Sequence, residues 1–275
     1  MPLFDGNMAV HQRKGVTFLT FPALDSLDFI VNAFSTRIGG VSKDEFSSMN
    51  LSFGRGDSDE NVSENYRRMC AAIGVGEDSL TFSAQDHHTF IRQVTVSDKG
   101  VGYSRPRDID SVDGIVTNAR GVTLVTHYAD CVPIYFVDPV KKAIGLSHAG
   151  WRGTVAGIAK KTVRAMGTEF SCEPKDLLCA IGPSICAACY EVDEGCAGEF
   201  YKLGGISHDK CVHKKDGKYF ADLWETNRQL LISAGVPGEN ISVSALCTRE
   251  NSGELFSHRA SAGKRGGLAA FLALR

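Results

Sequence analysis

The chain alternates between unbroken apolar runs and short polar turns. The runs "VTFLTFPAL", "FIVNAFST", "GVTLVTHYA", "VPIYFVD", "AIGLSHA", "LLCAIG" and "ISVSAL" are rich in β-branched and aromatic residues and are bounded by glycine, proline or polar clusters, which predicts strands. Three other stretches have helical spacing. "SDENVSENYRRMCAAIG" predicts a helix capped by Ser58 or Asp59 and stopped at Gly74; "GTVAGIAKKTVRAMG" and "DLWETNRQLLISAG" predict two more, each closed by a glycine. Strands and helices follow one another irregularly, unlike a repeated strand–helix–strand unit. The expected fold class is therefore α+β, with mixed β-sheets flanked by helices. No internal repeat, low-complexity tract or linker divides the sequence, so residues 1–275 are expected to form a single domain, with the segment before about residue 30 the weakest part of that reading.

Charge removes two classes of partner from this picture. Thirty basic residues stand against 32 acidic ones, a formal net charge of −2, with no long block of one sign to track a phosphate backbone or an anionic bilayer. Neither nucleic acid nor membrane is expected as a partner. The opening "MPLFDGNMAVHQRKGVTF" lacks the apolar core of a signal peptide, and no apolar run approaches the roughly 20 residues needed to cross a bilayer, so a cytoplasmic location is expected. Nine cysteines, odd in number and widely spread, suit thiols or metal ligands better than a disulfide framework.

Candidate chemistry gathers at a few places. "SAQDHHTFIRQV" sets His87 and His88 side by side, although a histidine alone is more often an ordinary core or surface residue. "HYADCVP" places Asp130 and Cys131 at a strand start, with Pro133 interrupting the ladder on one side; a buried structural cysteine is the plainer alternative. Seventeen residues after Cys131, "LSHAGWRG" puts His148 before a glycine-rich turn that opens a helix, where free N–H groups favour an anion and Arg152 adds a forked donor. If Cys131 and His148 meet in space, they form either an activated nucleophile with its base or part of a metal site. No HExxH motif or pair of CxxC motifs decides between them. The lone CxxC, Cys186 and Cys189, has no obvious second pair, which leaves a zinc knuckle there a minor reading. Glycines in "RIGGVS", "HAGWRG", "IGPS" and "GKRGG" suit either close backbone approach to a ligand or tight turns.

The segments "FSTRIGG", "MNLSFGRGDSDENVSENYRRM", "QDHH", "HYADCVPI", "SHAGWRGT", "IGPSICAACYEV", "DLWETNRQLL" and "LCTRENSGELFSHRASAGKRGG" fall in order on the motifs of the YfiH-like family, once described as multicopper polyphenol oxidases or laccases. The chain resembles that family from about Phe34 onward. The resemblance implies a single-domain α+β fold shared with a cysteine-dependent deamidase of a bacterial toxin. It also implies purine nucleoside phosphorylase activity on adenosine, inosine, guanosine and methylthioadenosine, with adenosine deamination as a second activity. By position it carries metal ligation onto His87, Cys131 and His148, with Zn2+ the expected ion and copper less favoured. Three departures stand out: "QDHH" replaces the family's "QVHG", "CAACYEV" replaces "GPCCYEV", and "CTRE" replaces "CTYC", placing Glu250 where a cysteine is usual.

Under this reading a three-ligand Zn2+ keeps an open position for water, whose pKa can fall to roughly 7. The glutamate of the zinc nucleobase deaminases is absent, so Asp130 is the candidate proton shuttle beside Cys131, or else a structural carboxylate. Phosphorolysis calls for cationic forks around phosphate, for which Arg37, Arg152, His258 and Arg259 are the candidates, with Lys264 behind them. Two alternatives remain: a cysteine hydrolase or amidase with Cys131 as nucleophile and His148 as base, and an editing factor that binds a nucleotide-linked precursor of peptidoglycan.

Overall fold

A computed structural model describes residues 6–275 of the chain. Among the described residues are two six-stranded sheets and a small three-stranded one. In spatial order the first contains Ala9–Arg13, Val16–Thr20, Ile30–Ser35, Leu268–Leu274, Thr123–Tyr128 and Leu80–Phe82. The second contains Ile241–Val243, Leu178–Ile181, Val132–Asp138, Ala143–Ala149, Gly114–Thr117 and Ile91–Gln93. Pairing is antiparallel except at Leu80–Phe82 in the first sheet and at both outer pairs of the second.

The two sheets share one core. Phe34, Leu124, Tyr128 and Leu272 from the first pack with Tyr135, Val137, Ile144 and Leu146 from the second, and the Tyr135 hydroxyl donates to Ala33 O at 2.7 Å. Alternate residues point the other way. Val125 and Phe271 meet Val62, Tyr66 and Met69 of helix Asp59–Ile73, while Val132, Ile134 and Phe136 meet helices Ile158–Phe170 and Leu223–Ser233. Helices thus cover both outer faces of the sandwich, and strands buried on two sides read as unbroken apolar runs.

Each of the seven apolar runs contributes a strand, although the end of "VTFLTFPAL" turns into the short helix Pro22–Asp25. Helix Asp59–Ile73 begins where Ser58 accepts the Asn61 N–H and ends at Gly74, whose φ of 79° suits glycine; Asp222 caps Leu223–Ser233 in the same way through Glu225 N–H. The third helical stretch departs from expectation. It splits into Trp151–Val155 and Ile158–Phe170 around Gly157 at φ 75°, and the second piece runs through Gly167 to stop at Ser171. The helix that follows His148 is therefore only five residues long, and its dipole is a weak anion site. Pro133 interrupts pairing only at the strand end, since the ladder toward Leu178–Ile181 begins at Ile134.

One central strand had no counterpart among the apolar runs. Leu268–Leu274, "LAAFLAL", lies between Ile30–Ser35 and Thr123–Tyr128, and its leucine and alanine content favours a helix locally. Pairing on both edges and burial on both faces override that preference. Among the described residues no helix is long and apolar enough to cross a membrane.

Candidate metal centre

The chain passes from the first sheet to the second between Tyr128 and Val132, and the crossing is held at Asp130. Its backbone is left-handed at φ 84°, its carbonyl accepts Ile185 N–H, and its carboxylate accepts the Thr248 hydroxyl at 2.6 Å and Arg259 N–H at 2.7 Å. Both oxygens being engaged, the geometry places Asp130 as a brace for three segments. Antiparallel register then aligns Val132 with Ala149 and Pro133 with His148, which sets Cys131 against the "HAG" turn.

His87 arrives from a loop gathered by a carboxylate that sequence reasoning passed over. Asp113, fully buried, accepts the backbone N–H groups of Asp86, His87 and His88 at 3.2, 3.1 and 2.9 Å. The same side chain meets His148 Nδ1 at 2.7 Å; a carboxylate only accepts, so Nδ1 donates to it, and Nε2 is the nitrogen that Asp113 does not hold. Donor atoms of His87, Cys131 and His148 all lie within 4.8 Å of one another. Gly150 makes the approach possible, because a Cβ there would stand 2.7 Å from His87 Nδ1 and 3.2 Å from Cys131 Sγ. His88 turns away, bonding Asp86 at 2.8 Å and Ser111 at 3.0 Å.

Burial alone would raise the Cys131 thiol, but the charge and hydrogen bond of His148, joined by His87, outweigh it and bring the thiol down to about 6. Burial alone would lower His148, but the Cys131 sulfur and the Asp113 carboxylate raise it to about 9. Two imidazoles and one thiolate, with a carboxylate orienting one ring, make the N/S donor set of an open zinc site. The residues fit that ion.

The centre lies in the wall of a cavity of about 920 Å³. Asp130, Arg152, His258 and Arg259 share that wall, whereas Arg37 and Lys264 do not. Arg37 is engaged elsewhere: its guanidinium donates to Ser47 O at 2.7 Å and Ser252 O at 2.9 Å and stacks on Phe256. The glycines after it do not receive a ligand either, since a Cβ at Gly39 or Gly40 would strike Gly15 O or Ser48 O. The cavity presents other arginines instead, Arg55, Arg107 and Arg265. Among the described residues Arg55 and Arg107 form no ion pair, and the buried Nε of Arg265 has no partner. Burial, then the charge of Arg55, lowers Arg265 to about 10; burial, then Arg265, pushes His258 below its usual value. Burial drives His127 down to about 3, and its neutral ring meets the Tyr66 hydroxyl at 2.6 Å. Arg55 sits between two glycines in "FGRGDS", a local pattern as suggestive as "TRIGG", but nothing in the sequence says which of the two faces the cavity.

The profile of the family described as "Multi-copper polyphenol oxidoreductase laccase" matches residues 31–275. The chain belongs to this family. Among its relatives is a protein of Bacillus subtilis named purine nucleoside phosphorylase YlmD, 35% identical over 248 residues that cover 90% of this chain and 89% of the relative. A protein of the same name from Geobacillus stearothermophilus is 38% identical over 247 residues, covering 89% of this chain and 90% of the relative. The crystal structure of the Geobacillus stearothermophilus YlmD superposes with a TM-score of 0.89 at 34% identity over 98% of this chain and all of that one. A Bacillus licheniformis structure described as hypothetical protein YfiH gives 0.90 at 32% identity, covering 97% and 99%.

Proposed function

We propose that the protein is a Zn2+-dependent purine nucleoside phosphorylase acting on adenosine, inosine, guanosine and methylthioadenosine, with adenosine deamination as a second activity of the same cavity. The observation that carries this reading is the juxtaposition of the His87, Cys131 and His148 donors with unpaired guanidiniums in one cavity large enough for a nucleoside and an anion. The phosphorylase names of relatives that align along nearly the whole chain support it.

His87, Cys131 and His148 would hold the ion, which when bound supplies Lewis acidity and lowers the pKa of water. The chain's own residues do the rest. Arg55 and Arg265, with Arg107 and His258, bind phosphate and hold it against the ribose; the C1′–O bond forms as the C1′–N9 bond breaks and its electron pair leaves with the purine. Arg152 and Arg259 serve at the rim of that anion site. Tyr190 and Ile185 present an apolar wall to the base. Asp113 fixes the His148 ring, and Asp130 acts as a positioning residue for the loops that carry Ile185 and Arg259.

Inosine or adenosine incubated with phosphate should yield free base and ribose 1-phosphate, and adenosine alone should yield inosine. Failure of both reactions in zinc-loaded protein would refute the enzyme reading in favour of a precursor-binding factor. The linear order Cys131, His148, Asp113 also favours a second reading, a cysteine hydrolase with thiol, base and orienting carboxylate. Stoichiometric zinc in protein purified without added metal would exclude it, because a metal-held thiolate is a poor nucleophile.

A further inference from the structure

A second set of donors lies outside the cavity. The turn Cys186–Cys189 and the turn Cys247–Glu250 face each other, and the sulfurs of Cys186, Cys189 and Cys247 and a carboxylate oxygen of Glu250 all lie within 4.8 Å of one another. Cys189 Sγ and Glu250 Oε1 are 3.6 Å apart. Tetrahedral zinc with sulfur at about 2.3 Å and oxygen at about 2.0–2.2 Å demands S···O edges of about 3.5 Å and S···S edges of about 3.8 Å, so the cluster needs only small movements to close on an ion. All nine cysteines are free thiols.

Backbone hydrogen bonds close both turns, and the Asn251 N–H donates to Cys247 O at 3.1 Å. Across its own turn the Cys189 N–H donates to Cys186 O at 3.1 Å, which closes the Cys186–Cys189 turn. Cys186 N–H donates to Cys247 Sγ at 3.4 Å. Such a donor stabilises a thiolate. We propose that Cys186, Cys189, Cys247 and Glu250 form a second metal site, closed and structural, that takes Zn2+. A disulfide would engage two of the sulfurs and leave the third and Glu250 without a part.

Its place in the fold gives the site a task. Ser184 pairs with Cys247 in an isolated bridge, Thr248 N–H donates to Ser184 O, and Ser184 N–H to Leu246 O, so the ion would clamp two loops already in register. From those loops come Ile185 and Tyr190 of the cavity wall and Thr248, which holds Asp130 beside Cys131.

The test uses the full chain carrying Cys131→Ala, which removes the cavity centre, stripped of metal under reducing conditions and titrated with Co2+ alone and then Zn2+. Thiolate-to-cobalt charge-transfer absorption with tetrahedral d–d bands should saturate at one Co2+ per chain and vanish on adding Zn2+. Adding Cys247→Ser should abolish the signal. Glu250→Ala alters an exposed side chain and should leave the fold intact while weakening Co2+ binding by about tenfold or more and changing the d–d bands. A folded Cys131→Ala protein without charge-transfer bands, a Glu250→Ala protein with unaltered spectrum and affinity, or a Cys186–Cys247 disulfide found by peptide mapping of cytosolically expressed protein would each overturn the proposal.

Discussion

Two sulfur-bearing clusters adjoin Asp130, one through its chain neighbour Cys131 and the other through Thr248, the neighbour of Cys247, and they differ in how they are closed. The cavity cluster has three donors on three segments, a carboxylate behind one of them, and open space in front. The loop cluster has four donors on two tight turns, with the Cys186 N–H turned onto the Cys247 sulfur. Three ligands with an open position suit chemistry; four ligands without one suit a clamp. The residue type is the same, and the number of donors and the solvent in front of them decide what a cysteine does.

The largest effect should come from breaking the open cluster. Cys131→Ala is expected to reduce phosphorolysis and deamination to background and to remove one zinc per chain by elemental analysis, with circular dichroism and melting temperature close to the parent. Retained turnover would dissolve the contrast between the two clusters. Asp113→Asn comes next. It leaves the three donors in place but weakens their support, and calorimetric titration should show metal affinity down by about 10–100-fold. Melting should also fall, because Asp113 accepts three backbone N–H groups.

Arg55→Ala tests the half of the cavity that carries no metal donor. Steady-state kinetics should show the phosphate KM raised about tenfold to hundredfold, with adenosine deamination, which needs no phosphate, changed far less. Equal loss of both would mean that Arg55 holds the nucleoside. A chelator titration sharpens the comparison without a mutation: zinc at the open cluster should leave first, together with activity, and the closed cluster should release its ion only later, so that metal content falls in two steps. The smallest catalytic effect is expected for Arg37→Ala, which removes two hydrogen bonds to loop carbonyls. It should cost about 1–3 kcal/mol of stability in denaturant unfolding and leave the phosphate KM near its parent value.

Much of the open cluster was legible along the chain. Cys131 and His148 stand at the ends of adjacent apolar runs, and a hairpin between such runs brings its ends together whatever the details of the core. His87 was placed only by the family motif, for its neighbour His88 has the same chemistry and one residue decides which ring turns inward. Arg37 shows the opposite failure. Arginine before two glycines reads as an anion grip, yet those glycines are packed against the chain's own carbonyls and the guanidinium caps a loop. The pair Cys186 and Cys189 looked single because its partners, Cys247 and Glu250, lie some 60 residues on and one of them is not a cysteine.

Local chemistry therefore determined the strands, the capped helices at Asp59–Ile73 and Leu223–Ser233, and the presence of a Cys and a His able to meet. These follow from side-chain period, cap residues and short-range pairing, which act within a few residues. Only the tertiary structure decided that "LAAFLAL" is a central strand, that Asp113 stands behind His148, that Arg55, Arg107 and Arg265 face the cavity while Arg37 does not, and that the two sulfur turns close on each other. Each of these is a contact between segments far apart in the chain, set by how two sheets share a core, and no local pattern encodes which distant surface a side chain will face.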